Sequence, residues 1–314
     1  MAYISGTVTS IADLRAAIAA ALVANGYTAL GNSFSKNGVH VTLVANATYG
    51  RINVLGGLGV DAAGALTSTP PMIDSKDASA ALAGIGPTIL QFPASYFIHI
   101  NTSPDEVWVF VRESVDRYSW LGFGCSPAPG STTGNWFAAN TPGYADGQRG
   151  SQTIYATGST YASVCALPFD ASAFNSGVGY TFSAHHGLDG NTWSACGNRG
   201  GNNPGAGYQS VVADAYTAAM AILYYTPSKL NNEAILVPIR PQVCRGSNLY
   251  STIADIQHCR YIRIDNLEPE DVITLGADKW KVYPVLKKNA AVRDAGGGVT
   301  HSGTYGVAVR YDGP

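Results

Sequence analysis

Apolar residues recur at helical spacing in one part of the chain and at strand spacing in many. Ile11, Leu14, Ile18 and Leu22 share one helical face. Ser10 stands where an N-cap belongs, with Asp13 three residues on, and the alanines between favour helix. Asn25-Gly26 supplies a left-handed stop. The pattern then changes period. Val39, Val41 and Leu43 alternate with His40 and Thr42 behind a Lys36-Asn37-Gly38 turn, and Ile52 and Val54 continue the alternation. Tyr96 to Ile100, Val107 to Val111 and Tyr118 to Phe123 read as a meander. The middle run, Val107-Trp108-Val109-Phe110-Val111, is apolar at every position, which predicts a strand buried on both faces.

Near the C-terminus, strands are predicted at Ala234 to Ile239, Arg260 to Ile264, Val272 to Leu275, Lys279 to Pro284 and Tyr305 to Tyr311. Pro238 places the first of these near a sheet edge. In Lys279-Trp280-Lys281-Val282 the lysines face one way and Trp280 and Val282 the other. Two stretches read as loop: Gly56 to Pro87, and the Gly/Ser/Asn-rich Gly124 to Gly207 with short strands at Thr153 to Tyr155, Ala162 to Leu167 and Tyr180 to Ser183. Val211 to Tyr225 reads equally as helix or strand.

The fold class is therefore α+β and β-rich, with antiparallel sheets, one N-terminal helix and a long loop-rich region. Its organisation follows the pattern: 1–55, helix plus small sheet; 56–123, loop then meander; 124–230, loop-rich insertion; 231–314, a C-terminal β region that could share one sandwich with 88–123.

Charge narrows the function classes. Charged residues make up 13% of the 314, and 19 Lys+Arg against 21 Asp+Glu give a net charge of −2. A basic nucleic-acid-binding face is not expected, nor is disorder in a chain with 18 Tyr, 9 Phe and 5 Trp. The longest apolar stretches, Ile18 to Ala24 and Ala218 to Leu223, fall far below the ~20 residues of a membrane helix. The start, Met1 to Gly6, shows no signal-peptide pattern, which predicts synthesis in the cytoplasm. Five cysteines with no CxxC pair read as small buried hydrophobes.

Candidate chemistry is sparse. The G-x-G-x-x-A spacing from Gly57 to Ala62 is followed by Thr67-Ser68-Thr69-Pro70-Pro71 where a dinucleotide fold needs a helix. His185, His186, Asp189 and Cys196 form one cluster of metal-capable side chains, without a recognised ligand spacing. Asp105, Glu106 and Glu113, like Glu268, Glu270 and Asp271, read as turn acids. No catalytic residue, metal or cofactor is predicted. The loop-rich middle carries the aromatics Trp136, Phe137, Tyr144 and Trp193, which suit either protein interfaces or stacking on glycan, with packing inside the loops as the plainer reading.

Several segments taken together carry a resemblance. They are Asp105-Glu106-Val107-Trp108, Asp116 to Gly124, Gly134-Asn135-Trp136-Phe137, Asn231 to Pro238, Arg260 to Asn266, Asp278 to Pro284 and His301 to Tyr311. In that order they resemble structural proteins of tailed bacteriophages and prophages. The resemblance spans most of the chain and rests on structural punctuation, so it carries over no catalytic residue. It implies a non-enzymatic virion component, best placed at the tail tip or baseplate, that packs with copies of itself and with other tail proteins or fibres. It has two alternatives: an adhesin touching host surface glycan through the aromatic loops, and a head or neck protein.

Overall fold

The structure, a computed structural model, describes residues 1–70, 79–84, 90–142, 182–188, 193–196, 208–210, 234–244, 250–291 and 301–314. Strand β1 (Ala2–Val8) leads into helix α1 (Ile11–Ala24) and then a meander of β2 (Thr28–Leu30), β3 (Ser33–Lys36), β4 (Val39–Asn46) and β5 (Arg51–Gly57). The hairpin β6 (Gly59–Val60) and β7 (Leu66–Thr67) precedes β8 (Ala80–Ala83). Next come β9 (Ala94–Asn101), β10 (Glu106–Arg112), β11 (Tyr118–Cys125), β12 (Asn135–Ala139), β13 (Thr141–Pro142), β14 (Phe182–His185), β15 (Trp193–Cys196) and β16 (Tyr208–Ser210). The last part holds β17 (Val237–Ile239), β18 (Gln242–Cys244), β19 (Tyr250–Thr252), β20 (Ile256–Arg263), β21 (Val272–Leu275), β22 (Asp278–Pro284) and β23 (Tyr305–Tyr311).

These strands form three main sheets. A central sheet of eight runs β1-β9-β10-β11-β12-β14-β15-β16, a sheet of six runs β13-β8-β5-β4-β3-β2, and a sheet of five runs β17-β20-β23-β22-β21. Pairing is antiparallel throughout the three except between β15 and β16.

The helix forms where its caps dictate. Ser10 is extended, and its hydroxyl accepts the backbone N–H of Asp13 at 3.1 Å. Asn25 caps the other end, and Gly26 turns out of the helix at φ 87°. Ile11, Leu14, Ile18, Ala21 and Leu22 are buried, so one face is committed to the core.

The central sheet is packed on both faces, and β10 shows how. Val107, Val109 and Val111 point into an aliphatic core with Leu43, Ile52, Val54 and the helix. Trp108 and Phe110 point the other way, into an aromatic core with Tyr261, Tyr283, Tyr305 and Val307 of the five-stranded sheet. The run that is apolar at every position is thus the middle strand of a three-layer stack. Next door on β11, Gly122 is obligatory: a Cβ there would lie 2.8 Å from the Trp108 ring, which crosses it.

Two expectations need correction. The stretch from Gly56 is not a plain loop: it finishes β5, makes the β6–β7 hairpin and returns as β8, whose four residues are all buried against β5. Gly124 to Gly207 holds short strands joined by loops, but its strands β12, β14 and β15 extend the central sheet and are buried where described, while the Pro127 to Thr133 connection is largely exposed. The strands expected at 153–155 and 162–167, and the ambiguous 211–225, lie outside the described residues. Pro238 does sit on an edge strand, β17, beside a register shift. Among the described residues no helix is long and apolar enough to cross a membrane.

Candidate functional site

The polar groups that converge most closely lie between the central and five-stranded sheets. His99 on β9 is fully buried. One ring nitrogen, Nδ1, is 3.2 Å from the Arg310 carbonyl oxygen, and the other, Nε2, is 2.9 Å from the Tyr283 hydroxyl. A carbonyl only accepts, so Nδ1 carries the proton and Tyr283 donates to Nε2. The Tyr3 ring packs beside this pair, its centroid 5.1 Å from that of the His99 ring. Burial holds the His99 pKa down to about 3 and pushes those of Tyr3 and Tyr283 up, so this cluster of groups is neutral.

Beside it, Lys281 stands 5.2 Å from the ring centroids of Tyr3 and Tyr311 and 5.8 Å from that of Phe97. Three ring faces hold its ammonium by cation–π attraction. This is the lysine face expected of β22, and Trp280 and Val282 fill a small core on the other side. Glu270, a residue at φ 73°, accepts from Arg112 at 2.6 Å and from the Tyr118 hydroxyl at 2.8 Å. A left-handed glutamate is strained, and these two bonds hold it there.

The second buried cluster surrounds Glu106. Its carboxylate accepts the Ser126 hydroxyl at 2.7 Å and the backbone N–H groups of Gln257 at 2.8 Å and His258 at 3.0 Å. Burial raises its pKa against the pull of those bonds. The expectation of a turn acid is corrected here: Glu106 is a fully buried strand residue that ties β10 to β20. Asp105 does sit at a turn, where Lys36 at 2.8 Å and Asn37 at 2.9 Å bind it to the β3–β4 turn.

His186 and Ser194 present a serine–histidine pair, with Nε2 3.0 Å from the hydroxyl. Nδ1 accepts the Leu188 N–H at 3.1 Å, so Nε2 carries the proton and donates to the serine oxygen. The imidazole therefore cannot take the serine proton as a general base in this arrangement. His185 bonds Thr133 instead, 2.7 Å from Nδ1 to Oγ1. Asp189 and the Cys196 side chain lie outside the described residues, and among the described residues no His/Cys/Asp/Glu group could hold a metal ion. Cys125, half-buried, and Cys259, buried, are free thiols whose pKa values burial raises.

The aromatics singled out from sequence are not surface platforms. Trp136 is 2% exposed, Phe137 0% and Trp193 4%. Alternation along β12 sends Trp136 into the aromatic core and Phe137 into the aliphatic one. Their indole N–H groups are engaged, Trp136 to Ser126 at 3.0 Å and Trp193 to the Ser68 carbonyl at 2.8 Å. Burial removes these three as sugar-stacking faces, and Tyr144 lies outside the described residues.

Compared with known proteins, the chain matches no family profile and no curated protein. Function must therefore be argued from the chain's own surfaces. One open groove of about 460 Å³ is lined by Thr7, Pro93, Ser95, Arg112, Glu113, Ser114 and Val115. Val115 at its rim is 92% exposed. Its guanidinium is already paired with Glu270, and its acid, Glu113, accepts the Gln91 N–H at 3.2 Å. Beside these two engaged charges the groove presents the hydroxyls of Thr7, Ser95 and Ser114 and the apolar Pro93 and Val115.

Proposed function

We propose that this protein is a non-enzymatic structural component of a tailed-phage virion, acting at the tail tip or baseplate. In this reading it packs with copies of itself and with adjoining tail proteins or fibres.

The observation that supports it most is where the resembling segments fall. Asp105 to Trp108, Asp116 to Gly124, Gly134 to Phe137, Arg260 to Asn266, Asp278 to Pro284 and His301 to Tyr311 supply the start of β10, nearly all of β11, most of β12, the second half of β20, and all of β22 and β23. They include Glu106, Trp108, Trp120, Trp136, Tyr283 and Tyr305, the centre of the aromatic core. The likeness to phage structural proteins thus lies in the scaffold that holds two sheets together. The titratable groups buried there are engaged in that scaffold, which leaves binding to shape and surface area.

The test is mass spectrometry and immunogold labelling of purified particles from the bacterium that carries the gene. The reading expects the chain in stoichiometric amount, with label at one end of the tail. Label at the head or neck would move the protein within the virion, and absence from purified particles would refute the proposal. Binding of the isolated chain to a glycan array would favour the adhesin alternative.

A further inference from the structure

The sheets end in edges of very different character. Edge β2 is three residues long and fully exposed. Edge β13 contains Pro142, and β17 contains Pro238 and a register shift. Edge β21, four residues long, is bracketed by Glu270, Asp271 and Asp278. Edge β16 is three residues long. Short length, proline, irregular register and flanking charge all discourage a second chain from adding on.

Strand β1 is longer, has no proline and no register shift, and the charge beside it, the Met1 amino group, lies 4.0 Å from Asp312 of its own chain. It is seven residues, Ala2-Tyr3-Ile4-Ser5-Gly6-Thr7-Val8, without a charge or a proline. Its register with β9 runs unbroken from Ala2↔Ile100 to Val8↔Ala94. Among the described residues β9 is its one strand neighbour, so every second residue directs its N–H and C=O outward. A row of unpaired backbone groups at strand spacing is matched by one chemistry, another extended backbone.

We infer that β1 pairs antiparallel with β1 of a second copy, joining two central sheets into one. Centring the two-fold axis on Ser5 is the register that pairs all seven residues: Ser5 meets Ser5, Tyr3 meets Thr7, Ile4 meets Gly6 and Ala2 meets Val8. The strand suits itself in two ways. No like charges face each other. Each face keeps its character, since direct cross-strand partners share a face. Ser5 and Thr7 are exposed, so the partner meets residues with no prior commitment to the core. The inference rests on the free edge and not on the virion reading.

The experiment is light scattering of the full chain over a wide dilution series, with two kinds of variant. The wild type is expected as a dimer that dissociates on dilution. Ser5→Lys places two ammonium groups opposite each other at the axis and should weaken the dimer about tenfold or more. Its melting curve in the dilute, monomeric regime should be unchanged, because Ser5 is exposed. Mild oxidation of Ser5→Cys should give a cross-chain disulfide, and the same substitution at Leu275, on edge β21, should not. A wild type that stays monomeric at the highest concentration overturns the inference. So does Ser5→Lys dimerising as tightly as wild type, or cross-linking at Leu275 in place of Ser5. A dimer from a chain missing from phage particles would keep this inference and remove the virion reading.

Discussion

The central sheet buries both faces, yet the two cores it makes are built from different chemistry. On the helix side, branched aliphatics such as Val107, Val109, Val111, Leu121, Leu43, Ile52 and Val54 predominate, with Phe34, Phe123 and Phe137 among them. On the other side, Trp108, Trp120, Trp136, Phe110 and Tyr283 pack as rings, with Phe110 stacked on Tyr283 at 4.0 Å and 5°. That side also holds the fully buried His99 and Glu106, each bonded across to the third sheet. Aliphatic packing is non-directional and adjusts to volume-conserving change. Rings with polar ends and a buried carboxylate have orientation to keep, so one change there disturbs several partners.

This contrast can be broken experimentally. The largest effect is expected from Glu106→Ala, which leaves the Ser126 hydroxyl and two backbone N–H groups without their acceptor. It should destabilise by about 3–5 kcal/mol in urea denaturation. Trp108→Ala, which empties a fully buried site, should cost a similar ~3–5 kcal/mol. An effect of either below about 1 kcal/mol would deny the aromatic core its special standing. Tyr283→Phe keeps the ring and removes the donor to His99, for about 1–2 kcal/mol. In the aliphatic core, Ile52→Val should cost about 1 kcal/mol and Leu121→Met less than about 1.5 kcal/mol.

Acidity sharpens the same comparison. Burial holds His99 at about 3 and His258 at about 4, below the ordinary 6.5, so the unfolded chain takes up protons that the folded chain refuses. Their contribution is fully present above about pH 6.5 and is lost as pH falls toward those values. Glu106 and Glu113 have raised values and act in the opposite sense: stability linked to them is greatest below the unfolded carboxylate pKa and declines as pH rises. Comparing wild type with His99→Gln isolates the histidine. The variant should lose less stability than wild type between pH 6.5 and 4, and parallel curves would refute a buried neutral His99.

Much of the fold was legible because it is written locally. Ser10, Asp13 and Asn25-Gly26 bracket the helix, and a run without polar positions marks β10. Pro238 marks an edge. Other elements escaped because tertiary pairing overrides their local preference. β8 is Ala-Ala-Leu-Ala, a sequence suited to a helix, yet it pairs with β5 and Asn140 bonds both the N–H and C=O of Ala83. β1 alternates only weakly, and β5 continues through Gly56 because the Phe137 ring fills the place of a side chain. The buried networks were illegible for a plainer reason. His99 meets Tyr283 and Glu106 meets His258 across long stretches of sequence, so no spacing motif records them. Aromatic richness in the middle region was visible, but the alternation that buries Trp136 and Phe137 needs the sheet to be known first.

If this chain works through surfaces shared with neighbouring parts of a phage particle, as we propose, an electron cryomicroscopy map of the intact particle will show it in place. The three-layer fold is then expected to fit symmetry-related density at the tail tip or baseplate, in contact with copies or adjoining proteins. Maps and composition of purified particles in which the chain fills no density would contradict the proposal.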